Sequence, residues 1–143
     1  MQIARPVLTA IRRHLAAAYP AEGCGFLVGA HQSDGAVVIS HRFPVNNHRV
    51  ADGAERTRYF ISPRDLRFAE SEAAAVGLQV VGVYHSHPDS AAQPSSYDRE
   101  HAWPWYRYLI VSVIGGVAKA ERAWELTDDR DRFIEHAIHV KDQ

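Results

Sequence analysis

The spacing of apolar residues predicts where helices and strands fall along the chain. In the first segment, residues 6–19, apolar side chains recur at the intervals of one helical face. Pro6 stands at the start of this segment, where the fixed backbone angle of proline suits a first helical turn. The predicted apolar face consists of Val7, Ile11, Leu15 and Ala18.

A β-hairpin is predicted next. The glycine-flanked apolar run at 23–29 is typical of a buried strand, and residues 36–43 form a second extended segment. Residues 33–35, Ser-Asp-Gly, supply the turn between them. Residues 44–55 lack periodicity and predict a loop, which a short strand at 58–62 is expected to follow.

The strongest helix signal begins at Ser62, which can cap the first turn. Pro63 fits the first helical position, and Asp65 completes a start that resembles a capping box. The helix is expected to run through an alanine-rich stretch and to end at Gly77. Residues 78–85, LQVVGVYH, then form a continuous apolar run of the kind found in strands buried on both faces.

The last third of the chain predicts a short helix near Ser95 and two more strands, at 108–114 and 118–126. Residues 128–140 fit either a helix or a strand. Strands that alternate with two or three helices indicate an α/β or α+β fold. A length of 143 residues suits one domain, so a single domain spanning 1–143 is expected.

Composition and charge narrow the functional classes. The formal net charge is −1, so bulk electrostatics indicates neither a nucleic-acid partner nor an anionic membrane surface. The single cysteine, Cys24, excludes an intrachain disulfide and favours a reducing compartment. Neither a signal-peptide pattern nor an apolar run of about 18 residues is present. We therefore expect a soluble, cytoplasmic protein.

Candidate metal ligands follow the apolar run at 78–85. His85 and His87 stand two positions apart in a predicted strand, so their side chains share one face about 6.5–7 Å apart. Asp98 occupies the third position of the helix that starts at Ser95, and a side chain there projects back toward the helix N-terminus. Two histidines and a carboxylate can hold a catalytic zinc ion with one position left for water.

A structural interpretation of the same residues competes with the metal site. A His-x-His pair on its own is more often a solvent-facing strand end, and Ser95 with Asp98 also matches a capping box. The joint spacing of two histidines, a proline, a serine and an aspartate in HSHPDSAAQPSSYD (residues 85–98) favours metal binding, because chance rarely produces it.

The stretch HSHPDSAAQPSSYD resembles the metal signature of the JAMM metallopeptidases, also called the MPN-plus or JAB-domain family. The segment AEGCGFLVG (21–29) is similar to the glutamate-containing first strand of that family. The likeness extends from about residue 6 to about residue 126 and is strongest to the small bacterial members. It implies a central, curved, mixed β-sheet flanked by helices, with layering like that of cytidine deaminases.

The resemblance also implies the chemistry. His85, His87 and Asp98 match the ligands of one zinc ion per chain, Glu22 matches the catalytic acid/base, and Ser95 matches the residue that stabilises the oxyanion. The implied reaction is hydrolysis of a peptide or isopeptide bond by a zinc-activated water. The implied substrate is the C-terminal tail of a ubiquitin-like or sulfur-carrier protein, for example one that carries a cysteine adduct.

Two other functions stay open at this point: an inactive MPN-like binding or scaffold module, and a zinc hydrolase of small peptides or amides. The sequence is also compatible with a homodimer. His48 and His101 are candidates to support the ligands through hydrogen bonds. Cys24 is expected to be a small core residue beside the site, and Trp103 and Trp105 are expected to pack or to form a rim of the cleft.

Overall fold

The computed structural model describes residues 1–45 and 59–142. The predicted loop at 44–55 lies outside the described residues from position 46 onward, and so does His48. The described residues form these elements, in chain order: β1 Gln2–Ala4, α1 Arg5–Ala18, β2 Cys24–His31, β3 Val37–Val45, α2 Pro63–Ala75, β4 Gln79–Pro88, α3 Ser96–His101, β5 Arg107–Ile114, β6 Val117–Leu126, β7 Phe133–His136 and β8 His139–Lys141.

The strands form one mixed sheet in the order β7-β6-β5-β4-β2-β3-β1-β8. The pairs β4–β5, β1–β3 and β1–β8 are parallel, and the other pairs are antiparallel. The two edge strands, β7 and β8, are consecutive in the chain and are separated by Ala137 and Ile138. The sheet must therefore curl until its edges approach each other, which confirms the expected curved, mixed sheet.

Helix α1 packs against one face of the curled sheet. Its buried side chains are Leu8, Ile11 and Leu15. They join a core whose strand residues come from both ends of the sheet, so the sheet wraps around the helix. The buried strand residues of this core are Ile3, Leu27, Val37, Ile39, Val81, Tyr84, Leu109, Val111 and Val113, and Ala118, Ile138 and Val140 are partly buried at its margin.

Helix α2 covers part of the opposite face. Ala69 and Ala73 of α2 are buried in a second core with residues of β2, β4 and β5: Cys24, Phe26, Val28, Val83 and Tyr108. Strand β4 runs between the two cores, and its residues 80–86 are buried, as the unbroken apolar run predicted. The candidate chemistry lies at the end of β4, on the face shared with α2.

The main elements predicted from periodicity are confirmed, including α1, the β2–β3 hairpin and the capping box at Ser62 and Asp65. The strand expected at 58–62 is wrong for its described part, because residues 59–62 form no strand. The carbonyl of Tyr59 accepts a hydrogen bond from the Tyr97 hydroxyl, so a side chain takes the place of a neighbouring strand. The undecided stretch 128–140 contains β7 and the start of β8.

Candidate metal centre

Strand β4 places the two predicted histidines on one face. His85 and His87 point to the same side of the sheet, and their ring centroids are 5.1 Å apart. His85 pairs across the sheet with Cys24 on β2, which brings Glu22, two residues before Cys24, to the same end. The pairing of β2 with β4 therefore joins residues more than sixty positions apart in sequence.

Helix α3 supplies the carboxylate. Its N-cap, Ser95, accepts a hydrogen bond at Oγ from the Asp98 backbone N–H (3.1 Å), and the Ser95 N–H donates to Asp98 Oδ2 (2.8 Å). This capping box aims the carboxylate between the two imidazoles: Oδ1 lies 3.4 Å from His85 Nε2, and Oδ2 lies 3.1 Å from His87 Nε2. The same geometry thus forms a capping box and brings the three candidate metal ligands together, so the two interpretations are compatible.

The donor set fits a divalent metal ion. One ligand atom from each of His85, His87 and Asp98 can be chosen so that all three lie within 4.8 Å of one another. His85 is fully buried, and within the described residues neither of its ring nitrogens has a hydrogen-bond partner. Buried nitrogens without partners are costly, and coordination to an ion would satisfy one of them. Two imidazoles and one carboxylate can bind several divalent metals.

The hydrogen bond at Nδ1 of His87 determines which ring nitrogen faces the cluster. His87 Nδ1 lies 2.9 Å from the carbonyl of Ala91 in the loop after β4. A carbonyl can only accept a hydrogen bond, so Nδ1 carries the proton and Nε2 turns a lone pair toward Asp98 when the ring is neutral. Such outer contacts orient metal-binding histidines in general.

Burial and charge separate the protonation states of the three groups. Burial lowers the pKa of His85 to about 4, so its imidazole is neutral at neutral pH, as a metal ligand must be. Burial also lowers the pKa of His87, but the hydrogen bond and charge of Asp98, the Ala91 carbonyl and the charge of Glu22 together outweigh burial and raise that pKa. Burial opposes ionisation of Asp98, but the two imidazoles and the Ser95 N–H hold its pKa well below the ordinary value.

Glu22 lies beside this cluster. Its side chain is buried, and its Oε1 is 3.9 Å from His85 Nδ1. The adjacent Gly23 is held to Ser86 by two hydrogen bonds: the Gly23 N–H donates to Ser86 Oγ (2.9 Å), and the Ser86 N–H donates to the Gly23 carbonyl (3.1 Å). Ser86 is fully buried, so this pair of bonds fixes the segment that carries Glu22 relative to the histidine strand.

Sequence reasoning missed two contributors, Ser86 and Tyr59. The Tyr59 ring stacks on His85 with centroids 4.4 Å apart and covers that side of the ligand. Neither residue has a distinctive sequence signal. Ser86 stands between two histidines, and its partner Gly23 lies far away in the segment before β2. Tyr59 lies outside any helix or strand.

The other residues considered for a chemical role, His101, Cys24 and the two tryptophans, make packing or hydrogen-bond contacts away from the metal cluster. His101 does not support the ligands, because its Nδ1 lies 2.9 Å from the Tyr97 carbonyl and its ring stacks on Tyr97. Cys24 is fully buried, as expected, and burial raises its thiol pKa to about 12. Trp103 and Trp105 remain 41% and 63% exposed, and both make edge-to-face contacts with Tyr106.

Comparison with known proteins adds independent findings. The model of a family described as prokaryotic homologs of the JAB domain matches residues 4–127. A Haloferax volcanii protein named desampylase is 36% identical over 133 residues, which cover 92% of this chain and 88% of that protein. A Thermus thermophilus protein named probable TtuB-protein conjugate cleaving protease is 28% identical over 80% of this chain and 72% of its own length.

The fold also occurs in solved structures. The solution structure of a Salinibacter ruber protein has a TM-score of 0.77 to this chain at 42% identity, with 99% of this chain and 92% of that one covered. None of the helices in the described ranges has the length and apolar character needed to cross a membrane.

Proposed function

Since the chain belongs to the family of prokaryotic homologues of the JAB domain, we propose that it is a zinc metallopeptidase of the JAMM type that hydrolyses a peptide or isopeptide bond. In this proposal His85, His87 and Asp98 hold one zinc ion per chain, Glu22 transfers protons, and Ser95 stabilises the oxyanion. The proposal also treats residues 1–143 as one catalytic domain.

One observation carries the proposal: a buried His₂Asp cluster with a buried carboxylate beside it. Glu22 lies within 4 Å of His85, and the capping box at Ser95 borders the same cluster. A protein that used this face only for structure would gain nothing from a fully buried imidazole whose nitrogens lack partners. The presence of Glu22, His85 and His87 also argues against an inactive scaffold module, which would be free to lose them.

The residues of the chain divide the work of hydrolysis among them. A bound zinc ion supplies a Lewis acid and lowers the pKa of water from 15.7 toward about 7. Glu22 accepts the proton of the attacking water and delivers it to the leaving amine. The Ser95 oxygen already accepts a hydrogen bond from the Asp98 N–H, so its own O–H can donate to the oxyanion that develops on the scissile carbonyl.

The substrate we propose is the C-terminal tail of a ubiquitin-like or sulfur-carrier protein. Support comes from the names of two relatives, a desampylase and a probable TtuB-protein conjugate cleaving protease. An extended tail can reach a recessed site that a folded surface cannot, and the centre here is recessed, with Glu22 and Asp98 only 4% and 6% exposed. A hydrolase of small peptides or amides is the second candidate, since such substrates also enter a recessed site.

The test pairs Glu22→Gln with Glu72→Gln, a matched change on the exposed side of α2. The substrate is a bacterial sulfur-carrier protein extended by one C-terminal cysteine, and mass spectrometry follows the loss of that residue. We expect both variants to keep about one zinc per chain and only Glu22→Gln to lose turnover.

Each other outcome identifies a different error. Full activity in Glu22→Gln would remove Glu22 from proton transfer. Cleavage of free peptides but not of the carrier would favour the small-substrate hydrolase. Zinc binding without any turnover would favour the scaffold module, and an active protein without metal would refute the mechanism.

A further inference from the structure

Helix α3, which carries Asp98, has only six residues. The last four carbonyl groups of a helix have no donor within the helix, and a helix this short is marginal on its own. Helices α1 and α2 bond carbonyls of their last turns with the N–H groups of their own C-cap residues, Tyr19 and Val76. Helix α3 receives donors from a turn far along the chain.

Arg130 lies in the turn between β6 and β7 and reaches the end of α3. Its Nη2 donates to the carbonyls of Arg99 (2.7 Å) and Glu100 (3.1 Å), and its Nη1 donates to the carbonyl of the C-cap residue Ala102 (2.7 Å). One guanidinium thus bonds two of the last four helical carbonyls and the C-cap carbonyl. Its positive charge also suits the negative end of the helix dipole.

The turn that carries Arg130 is held in shape by its own hydrogen bonds. The Thr127 hydroxyl donates to Asp129 Oδ1 (2.7 Å), and the Asp131 N–H donates to the same oxygen (3.0 Å). Arg130 adopts a left-handed φ of 61°, which arginine rarely takes and which persists where surrounding contacts hold it. The helix also donates to the turn, because Arg99 Nη1 bonds the Asp131 carbonyl (3.0 Å). The turn and the helix end are therefore attached in both directions.

Strand β6 also holds the segment before α3. Trp124 Nε1 donates to the Ala92 carbonyl (3.0 Å) in the loop that leads from β4 to α3. The segment that contains Asp98 is thus attached near both of its ends to residues 124–130, which include no proposed metal ligand. The two attachments determine where α3 lies relative to the sheet, and with it the carboxylate that meets the two histidines.

We propose that Arg130 is a positioning residue for Asp98: its guanidinium holds the end of α3 so that the carboxylate stays beside the two histidines. The inference rests on the proposed metal site, and it adds a residue outside the matched family region, which ends at residue 127. His101 has no such role, because its Nδ1 bond to the Tyr97 carbonyl lies within α3 and does not attach the helix to its surroundings.

The test compares Arg130→Asn with Arg132→Asn. Asparagine tolerates a left-handed backbone better than most residues, so Arg130→Asn removes the guanidinium and keeps the turn. Arg132→Asn makes the same change of charge at an exposed arginine of that turn, whose described hydrogen bonds come from its backbone. A third variant, Arg130→Lys, keeps a cationic donor without the planar fork and carries the test if Arg130→Asn does not fold.

Two measurements on these variants follow α3 and the metal separately. In the metal-free chain, the Asp98 N–H donates to Ser95 Oγ, and hydrogen exchange reports how often that bond opens. Its exchange should be about tenfold faster in Arg130→Asn than in wild type, because the helix loses three hydrogen bonds at its other end. Competition with a chelator then measures zinc affinity, which should fall about tenfold in Arg130→Asn. Arg132→Asn should match wild type in both measurements, and Arg130→Lys should show smaller losses.

The outcomes separate this inference from the proposed function. Faster exchange with unchanged zinc affinity would overturn the inference, because Arg130 would then only stabilise the helix. Equal exchange in Arg130→Asn and Arg132→Asn would overturn it as well. Neither measurement needs peptide cleavage, so a chain that bound zinc and hydrolysed nothing would contradict the proposed function while the two measurements still decided the role of Arg130. A wild-type chain that bound no zinc would overturn both.

Discussion

Replacing Ser86 with alanine tests whether the strand that carries the histidines also positions Glu22. The change removes the oxygen that accepts the Gly23 N–H at 2.9 Å and leaves the second bond, from the Ser86 N–H to the Gly23 carbonyl, in place. The segment before β2 thus keeps its register but loses one of its two attachments. Glu22, one residue earlier, can then move relative to His85.

The loss of one hydrogen bond in Ser86→Ala should lower both the stability of the fold and the catalytic rate. A buried N–H left without an acceptor costs about 1–3 kcal/mol. The Tm of a chain of this size should fall by roughly 3–10 °C for such a loss. Displacement of a catalytic group by about 1 Å can cost a hundredfold in rate, so kcat should fall about tenfold to a hundredfold. KM and zinc content should stay unchanged, because the substrate and metal contacts remain.

Steady-state kinetics, differential scanning calorimetry and metal analysis of Ser86→Ala measure these quantities. Ser86→Thr keeps the hydroxyl and should recover kcat. Ser112→Ala is the comparison variant: it removes a buried serine hydroxyl that donates to the Ser90 carbonyl, on the strand next to β4 and away from Gly23. If kcat of Ser86→Ala fell no more than that of Ser112→Ala, or if threonine failed to restore it, Ser86 would have only a structural role.

Four other predictions rest on contacts and burial of the described residues. Elemental analysis should show that His87→Ala loses bound metal. The control His101→Ala, which removes a ring stacked on Tyr97, should keep it. Unchanged metal content in His87→Ala would leave only the capping interpretation of the motif. The Cys24 thiol should resist iodoacetamide near neutral pH until urea unfolds the chain, because burial, and then the charges of Glu22 and Asp65, raise its pKa from 9.0 to about 12. Because the folded pKa is the higher one, the stability from this thiol is complete below about pH 9 and is lost as the pH rises toward about 12; denaturation with urea at several alkaline pH values checks the sign. Gly82→Ala should destabilise the fold by about 3 kcal/mol or more in urea denaturation, because the added Cβ would overlap the Arg107 carbonyl on β5; a loss below about 1 kcal/mol would show that the two strands can move apart.

Predictions that rest on local geometry agree with the structure. The start of α2 is one example, because a serine cap, a proline and an aspartate within four residues specify that turn whatever surrounds it. The convergence of Asp98 on His85 and His87 could likewise be expected. His87 at the strand end and Asp98 in the first helical turn are only eleven residues apart, which limits where each side chain can point.

Contributions that depend on distant pairing could not be predicted. Tyr59 packs on His85 from a segment without regular structure, and nothing near Tyr59 in the sequence indicates that partner. The three-residue strand β1 was missed because it is too short to show alternation and is defined by its neighbours β3 and β8. The placement of Glu22 followed from family resemblance and not from its local sequence, since the β2–β4 pairing that brings it to His85 spans over sixty residues.

Asp98 both caps helix α3 and belongs to the candidate metal cluster, and this affects how relatives of this chain should be interpreted. Its carboxylate accepts the Ser95 N–H, so it contributes to folding of α3 before any ion binds. Selection for a stable helix start would preserve Ser95 and Asp98 in a descendant that had lost catalysis, whereas a buried Glu22 and the His85–His87 pair bring no comparable folding benefit. The serine and aspartate of the motif are therefore weak markers of activity, and the glutamate and the histidines are the positions where loss of function should first become visible.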